Sequence, residues 1–243
     1  MKNPYLSIII PAYNEAARLP ASLEKIAAFL RNQTYSAEII VVENGSTDNT
    51  LKLCRALQPR IANLTVLHEE QRGKGWAVRR GMQSAKGAYR FICDADLSMP
   101  IEELPRFFPP LLKDAPVAIA SREAPGARRY YEPEYRHIIG RIFNWMVRLI
   151  VLPGLQDTQC GFKCFRADVA EQVFPLVGIT GWTFDVEALF IARRLGYAIT
   201  EIAIPWYYNA HSNIRVLRDS LHMGTDLLKI RWNALTGKYH APR

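Results

Sequence analysis

The chain has 243 residues, 49% of them hydrophobic and 22% charged, which is enough apolar material for the core of one folded domain and argues against a disordered chain. Its 31 lysines and arginines outnumber the 23 acidic residues, and the formal net charge of +8 indicates anionic ligands. The basic residues are dispersed, which argues against nucleic acid as the partner, and no uncharged stretch is long enough to span a membrane.

The first half of the chain alternates between short β-branched runs and helix-favouring stretches. Alternation of this kind builds a mostly parallel sheet that is flanked by helices. We therefore predict a single α/β domain over residues 1–243, with a Rossmann-like sheet. The predicted strands cover 5–11, 37–42, 63–67, 88–93 and 117–120, and the predicted helices cover 15–31, 46–57 and 74–85.

Polar residues follow three of the predicted strands. The first strand ends in Pro11-Ala12-Tyr13-Asn14-Glu15, the second in Glu43-Asn44-Gly45-Ser46, and the fourth in Asp94-Ala95-Asp96. In open α/β sheets, ligands bind beyond the carboxyl ends of the strands. We therefore expect these groups to converge on one edge of the sheet.

Asp94 and Asp96 lie one residue apart just after a predicted strand. Such a pair of hard oxygen ligands suits Mg²⁺ or Mn²⁺, which takes its remaining ligands from water and a diphosphate. The alternative is a solvated loop in which Asp96 or Ser98 caps a helix. The position at a strand end favours the metal site.

Lys74 lies in the string Arg72-Gly73-Lys74-Gly75, at the start of a predicted helix. Glycines let the backbone approach a ligand, and a helix N-terminus favours an anion, so the string predicts a phosphate contact. The alternative is a plain loop with solvated basic side chains. The spacing of a Walker A loop is absent.

The stretch 136–152 has the pattern of an amphipathic helix. His137, Arg141, Asn144 and Arg148 form one polar stripe. Two interpretations stay open: a helix lying in a lipid interface, or a helix that packs its apolar side against its own domain. The apolar side consists of Ile138, Ile139, Ile142, Phe143, Met146, Leu149 and Ile150.

Cysteine usage indicates a reducing compartment. The four cysteines are few for this length, and the N-terminus does not read as a signal peptide, so we expect a cytoplasmic protein. Cys160 and Cys164 could be part of a zinc site, but two thiols without further ligands are a weak signal. We expect all four to be buried free thiols: Cys54, Cys93, Cys160 and Cys164.

Four strings carry a resemblance to a known family: SIIIPAYNEAARLP, IIVVENGSTDNT, RGKGWAVRRGM and FICDADLS. They resemble, in order and spacing, the signature set of glycosyltransferase family 2. Three downstream strings are similar to those of its dolichyl-phosphate β-glucosyltransferases, the sister group of the dolichol-phosphate mannose synthases. These strings are DTQCGFKCFRADVAEQVFP, GWTFDVEALFIARRLGYAITEIAIPW and DSLHMGTDLLKIRWNALTGKY.

This resemblance implies a GT-A-type fold and an inverting glycosyltransferase that needs Mg²⁺ or Mn²⁺. It implies transfer of glucose from UDP-glucose to a polyprenyl phosphate, with residues 1–122 as the nucleotide-sugar-binding half and 123–243 as a helical acceptor-binding half. It also implies peripheral contact with the cytoplasmic face of a membrane. The alternatives are a GDP-mannose donor, a soluble acceptor, and a non-catalytic nucleotide-binding module.

The resemblance also assigns residues on the donor side. Asp96 is implied as the main metal ligand, with Asp94 beside it. The chain departs from the family pattern at Glu43-Asn44, where many members have two aspartates, and at Ser98, where mannose synthases have a metal-binding glutamine. The residues implied in nucleotide-sugar binding are Pro11, Tyr13, Glu15, Glu43, Lys74 and Asp94.

On the acceptor side, a phosphate is already ionised and needs positioned cations rather than a general base. Arg122 and Arg136 are implied as catalytic cations beside Asp96. The family's Gly-Ser-Lys stretch reads Ala210-His211-Ser212-Asn213 here. An alternative for Asp157 is buried pairing with Lys163 or Arg166. The remaining residues implied in acceptor or sugar binding are Arg141, Arg215, Asp157, Asp185 and Glu187.

Overall fold

The computed structural model describes residues 3–209 and 216–239. Nine strands are found there: β1 Leu6–Ala12, β2 Ala37–Glu43, β3 Leu64–His68, β4 Tyr89–Ile92, β5 Val117–Ser121, β6 Arg128–Tyr130, β7 Lys163–Arg166, β8 Ile199–Ala203 and β9 Pro205–Tyr207. The α-helices are α1 Leu19–Arg31, α2 Thr50–Leu57, α3 Lys74–Ser84, α4 Glu134–Ile150, α5 Ala167–Val173, α6 Phe184–Arg194 and α7 Val216–Leu235, and a 3₁₀ helix covers Ile101–Phe107.

Seven of the strands form one sheet in the order β3-β2-β1-β4-β7-β5-β8. All neighbours are parallel except that β7 runs antiparallel to both β4 and β5. The predicted mostly parallel α/β sheet is therefore confirmed. Because β7 comes from the second half of the chain, both halves build one sheet. The short parallel pair of β6 and β9 lies apart from it.

The sheet is buried on both faces, which explains why its central strands are continuous apolar runs rather than alternating ones. In β1, Ile9 belongs to the core on one face, together with residues of α3, α5 and α6. Ile8 and Ile10 belong to the core on the other face, which is covered by α1, α2 and the 3₁₀ helix. The two cores hold the carboxyl ends of the strands at one rigid edge.

Helices α1 and α2 begin at Leu19 and Thr50, each four residues later than the sequence predicts, because polar side chains bind the backbone that follows the strands. The Glu15 backbone N–H donates to Thr50 Oγ1 at 2.8 Å, and the Glu15 carbonyl accepts the N–H groups of Arg18 and Leu19. Helix α1 therefore begins at Leu19. Short polar side chains near strand ends bind local backbone and so compete with helix formation.

Helix α4 confirms the predicted helical stretch, but the apolar side predicted for it is only partly correct. Phe143 is buried in the core, and so is Asn144, which the pattern had placed on a polar stripe. Ile138, Ile142 and Leu149 are exposed. The helix thus presents one face to the core and a separate apolar face to solvent. No helix of the described part of the chain is long and apolar enough to cross a membrane.

Candidate active site

A cleft of about 650 Å³ opens at the carboxyl ends of β1, β2 and β4, where the polar strand ends were expected to converge. Helices α3, α4 and α6, strand β9 and the loops before α6 complete its walls. Eleven of the predicted site residues line it: Pro11, Tyr13, Glu15, Lys74, Asp94, Asp96, Arg122, Arg136, Arg141, Asp157 and Asp185.

Lys74, the first residue of α3, is paired with Asp94 at the end of β4. Its Nζ donates to Asp94 Oδ1 at 2.6 Å and lies 5.3 Å from the centre of the Trp182 ring. Burial alone would lower the pKa of Lys74 and raise that of Asp94, but their mutual attraction outweighs it in both cases. A side chain at Gly161 would overlap the Asp94 carboxylate and displace it from this position.

Asp96 faces the same part of the cleft, where it is bonded to Ser98 and attracted by Arg18. Its Oδ1 accepts the Ser98 backbone N–H at 3.1 Å. Burial, and then the neighbouring charge of Asp94, raise the pKa of Asp96 above its ordinary value. Leu97, between Asp96 and Ser98, has a φ of 49°, which is uncommon for a residue with a side chain. The loop therefore concentrates negative charge that favours a cation.

The donor groups present fit a divalent ion that is shared with a ligand. Asp94 and Asp96 supply carboxylate oxygens, and the described residues contain no group of three or more histidine, cysteine or acidic side chains that could enclose a metal. Mg²⁺ and Mn²⁺ are commonly held in this way, by one or two carboxylates, waters and substrate phosphates. A structural zinc site would need more protein ligands.

Asp185, in the first turn of α6, is paired with Lys163 of β7. Lys163 is buried, and its Nζ donates to Asp185 Oδ2 at 3.1 Å and to the Cys160 carbonyl. Burial raises the pKa of Asp185 more than the charges of Lys163 and Lys74 lower it. The suggested pairing of Asp157 with Lys163 or Arg166 is wrong, because Lys163 is paired with Asp185, and Arg166 with Asp114 and Asp168.

Arg122 is the partner of Asp157 instead. The Arg122 Nε and Nη2 donate to the two carboxylate oxygens at 2.7 and 3.0 Å, and its backbone N–H donates at 3.0 Å. Burial disfavours both charges, yet each holds the other ionised, so the pKa of Asp157 lies well below and that of Arg122 well above its usual range. The guanidinium is also 5.3 Å from the centre of the Trp206 ring.

Three further arginines surround Arg122, and we call the four the arginine cluster: Arg122, Arg129, Arg136 and Arg141. Arg129 is paired with Glu123 and Glu132, and Arg141 donates to Glu123 at 2.9 Å. Arg136 lies over the Tyr208 ring at 5.3 Å, and its buried Nε has no hydrogen-bond partner. Within the described part of the chain, it alone of the four has no carboxylate partner.

Two predicted site residues lie outside the cleft lining. Glu43 is buried beneath it, where it accepts the Ser46 N–H and contacts His68 Nδ1 at 2.5 Å. Glu187 is buried in the core and turned toward Tyr239. Arg215 and the string Ala210-His211-Ser212-Asn213 lie outside the described residues.

Several cleft residues escaped the sequence analysis. Arg129 lies in a basic and aromatic stretch, Arg128-Arg129-Tyr130-Tyr131, which Glu132 follows directly and whose composition was a usable signal. Trp182 and Trp206 carried no such signal, because an aromatic residue is more often part of a core. The residues found only in the structure include Glu123, Arg129, Glu132, Asn144, Trp182 and Trp206.

The four cysteines are buried free thiols, as expected. Burial raises the pKa of Cys54 to about 11, with smaller contributions from nearby carboxylates. It raises the pKa of Cys160 to about 11 as well, although Cys160 lies close to Arg122. Such thiols stay protonated and unreactive near neutral pH.

The chain matches a family model described as Glycosyl transferase family 2 over residues 7–174. It belongs to glycosyltransferase family 2. The resemblance carried by the sequence strings is thereby confirmed, and the cleft described above is the candidate active site of a family 2 glycosyltransferase.

Curated relatives of this family 2 glycosyltransferase share about a third of its residues. The dolichyl-phosphate β-glucosyltransferase of Dictyostelium discoideum is 35% identical, with 97% of this chain and 78% of the relative aligned. The human dolichyl-phosphate β-glucosyltransferase is 32% identical, with 96% of this chain and 77% of the relative aligned.

Solved structures of similar shape are GT-A glycosyltransferases. Mannosyl-3-phosphoglycerate synthase from Rubrobacter xylanophilus has a TM-score of 0.70 at 17% identity, over 99% of this chain and 77% of that one. Glucosyl-3-phosphoglycerate synthase from Mycobacterium tuberculosis, crystallised with Mn²⁺, UDP-glucose and phosphoglyceric acid, has a TM-score of 0.63 at 19% identity, over 99% and 81%. At this identity the likeness confirms the GT-A fold alone.

Proposed function

We propose that this family 2 glycosyltransferase transfers glucose from UDP-glucose to the phosphate of a polyprenyl lipid, with inversion at the anomeric carbon. One observation carries the proposal: a carboxylate loop suited to a metal diphosphate and an arginine cluster suited to a second phosphate line the same cleft. The dolichyl-phosphate β-glucosyltransferases among its relatives support glucose as the sugar and a polyprenyl phosphate as the acceptor, and a neighbour in fold was crystallised with UDP-glucose.

On the donor side, Asp94 and Asp96 would hold Mg²⁺ or Mn²⁺ together with the diphosphate. When bound, the ion neutralises negative charge on the leaving diphosphate. Lys74 adds a fixed positive charge at the same place, since it is already oriented by Asp94. Pro11 and Tyr13, at the end of β1, form the wall available for the nucleoside.

On the acceptor side, Arg136 is the first ligand that we assign to the acceptor phosphate. Its guanidinium has no described carboxylate partner, and its buried Nε lacks an acceptor, so a phosphate oxygen would satisfy it. Arg122 and Arg129 lie over the Trp206 ring and add positive charge nearby. Their carboxylate partners hold them in place but also reduce the charge that they offer.

The reaction then needs no general base. A phosphate oxygen of the acceptor attacks the anomeric carbon of glucose, the bond from that carbon to the UDP oxygen breaks, and UDP leaves with the electron pair. The attacking oxygen carries no proton to remove, so catalysis rests on position and charge. Asp185, held by Lys163, lies in the cleft wall where it can accept hydrogen bonds from sugar hydroxyls.

A donor and acceptor panel tests this function. Purified protein with Mn²⁺ is incubated with radiolabelled UDP-glucose or GDP-mannose, with and without polyprenyl phosphate. We expect a lipid-soluble labelled product from UDP-glucose only when the lipid is present. Faster transfer from GDP-mannose would contradict the donor, transfer only to a water-soluble phosphate would contradict the acceptor, and nucleotide binding without any turnover would contradict catalysis.

We also propose that the protein works at the cytoplasmic surface of a membrane, through α4. Five apolar side chains of this helix recur at intervals of three and four residues and so form one stripe, and each is between 56% and 69% exposed. Arg136 lies on the same helix, so a lipid surface that covers the stripe also lies near the proposed acceptor site. The stripe consists of Tyr135, Ile138, Ile142, Trp145 and Leu149.

Co-sedimentation with anionic liposomes tests the surface. The double variant Ile142→Ser, Leu149→Ser removes apolar area from the stripe without touching the core. The control is Leu111→Ser, which alters an exposed leucine outside α4. We expect wild type and control to sediment with the vesicles and the double variant to remain in the supernatant. Equal sedimentation of all three, or none by wild type at low salt, would contradict the surface.

A further inference from the structure

Glu187 lies on α6 among apolar residues, and its carboxylate is fully satisfied by groups outside its own helix. Glu187 is 0% exposed. Its Oε2 accepts the backbone N–H groups of Gly178 and Ile179 at 2.8 and 2.6 Å. Its Oε1 accepts the hydroxyl of Tyr239 at 2.6 Å. One side chain thus joins the segment 178–179 to Tyr239, which lies four residues beyond the end of α7.

Tyr239 is anchored on its other sides as well. It is buried, its ring meets the Phe190 ring edge to face with the centroids 5.9 Å apart, and its hydroxyl accepts from Asn233 Nδ2 at 3.3 Å. A buried carboxylate is costly unless every partner is in place. The hydrogen bond between Tyr239 and Glu187 therefore restricts where the 178–179 backbone can lie.

The segment held by Glu187 touches the start of α3 backbone to backbone. The Gly75 N–H donates to the Thr180 carbonyl at 2.9 Å. A Cβ at Gly75 would overlap the Ile179 carbonyl, so the two backbones approach as closely as glycine permits. A shift of residues 178–180 would therefore displace the turn that carries Lys74.

Lys74 and Trp182 extend this contact into the cleft. Trp182 follows the held segment, and its ring lies 5.3 Å from Lys74 Nζ, which also donates to Asp94. Neither Glu187 nor Tyr239 reaches the cleft itself. The 178–182 segment is therefore the connection from this pair to Lys74, since its backbone is bound to Glu187 at one end and its Trp182 ring lies beside Lys74 at the other.

We propose that Glu187 and Tyr239 are a positioning pair, which holds the 178–182 segment against α3 and thereby sets Lys74 for the donor diphosphate. This rests on the proposed role of Lys74 in donor binding. The segment that follows α7 would then affect donor affinity, although α7 itself contributes only Met223 to the described cleft lining. Glu187 would then have a role other than contact with the sugar.

The test compares two changes that each delete one phenol hydroxyl. Tyr239→Phe removes the hydrogen bond to Glu187. Tyr5→Phe removes a 3.2 Å hydrogen bond to the Pro109 carbonyl, which lies far from the cleft. We measure UDP binding by calorimetry with Mn²⁺, and kcat and KM for UDP-glucose. Loss of one such hydrogen bond corresponds to about a five- to tenfold change in an equilibrium constant. We therefore expect Tyr239→Phe to raise the UDP Kd and the donor KM by that factor.

A conservative variant separates positioning from contact. In Glu187→Gln the amide oxygen can accept the Gly178 and Ile179 N–H groups while the amide nitrogen donates to the Tyr239 hydroxyl, so we expect donor KM close to wild type. Glu187→Ala should raise it at least as much as Tyr239→Phe. Hydrogen exchange should become faster at residues 73–75 as well as 178–180 in Tyr239→Phe, but not in Tyr5→Phe.

The outcomes are distinct. Unchanged UDP affinity in Tyr239→Phe, or an equal loss in Tyr5→Phe, would overturn the positioning pair while leaving the proposed function in place. A large loss in Glu187→Gln would also overturn it, since the charge itself would then matter. Wild-type protein that binds no UDP at all would overturn the proposed function and, with it, the pair.

Discussion

Arg122 and Asp157 form a two-pronged ion pair that lies in the wall of the cleft, with Nε to Oδ2 at 2.7 Å and Nη2 to Oδ1 at 3.0 Å. Asp157 is itself held by Glu201, whose carboxylate accepts the Asp157 N–H at 2.9 Å. The pair therefore fixes the guanidinium that faces the cleft and also joins the end of β5 to the loop before β7. Replacing either residue therefore leaves the charge of the other without its partner.

Removing one partner of this pair should strongly destabilise the fold. In Asp157→Ala the partly buried Arg122 charge loses its counterion, which corresponds to as much as about 3 kcal/mol in the free energy of unfolding. Chemical denaturation measures it. The control Asp114→Ala breaks the exposed pair with Arg166, which should change the unfolding free energy by less than about 1 kcal/mol. Equal effects would contradict the structural role of Asp157.

The same pair predicts a pH dependence of stability. The pKa of Asp157 is lowered in the folded state, so its stabilising effect is complete above the ordinary aspartate value of about 4 and is lost as the pH falls below it. Denaturation midpoints from pH 7 to pH 3 should show a gap between wild type and Asp157→Asn that narrows with acid. A gap that stays constant would mean that Asp157 is not charged in the fold.

Asp96→Asn should abolish most transfer activity without altering the fold. The carboxylate lies in a loop that lines the cleft rather than in the core, so its loss affects cation binding alone. We expect turnover to fall by at least about a hundredfold while the melting temperature stays near wild type. Asp114→Asn, at an exposed aspartate, should keep full activity. Unchanged activity in excess chelator would contradict the metal site.

Arg136→Lys should weaken the acceptor and spare the donor. Lysine keeps the charge but loses the planar fork that binds phosphate through two nitrogens, so we expect KM for the lipid phosphate to rise about tenfold or more. KM for UDP-glucose should change little. Arg128→Lys, which makes the same change at an exposed arginine of β6, is the matched control. A rise in donor KM of equal size would mean that Arg136 serves the diphosphate instead.

The sequence by itself determined where along the chain the first four strands and the helices between them lie, and it predicted the edge of the sheet at which their polar ends meet. These are local properties: a β-branched run predicts a strand wherever it lies, and the carboxyl ends of parallel strands meet at one edge. The placement of Tyr13, Lys74, Asp94 and Asp96 in one cleft follows from that rule. The family strings added the GT-A fold and the class of enzyme.

Only the tertiary structure decided which charged groups are partners. Asp157 is paired with Arg122, 35 positions away, and Lys163 with Asp185, although closer partners were available along the chain. The resemblance implied a sugar contact for Glu187, but the local sequence does not say what packs against that residue, so its bond to Tyr239 could not be foreseen. Such pairings depend on how strands and helices from distant segments pack, which the local pattern does not encode.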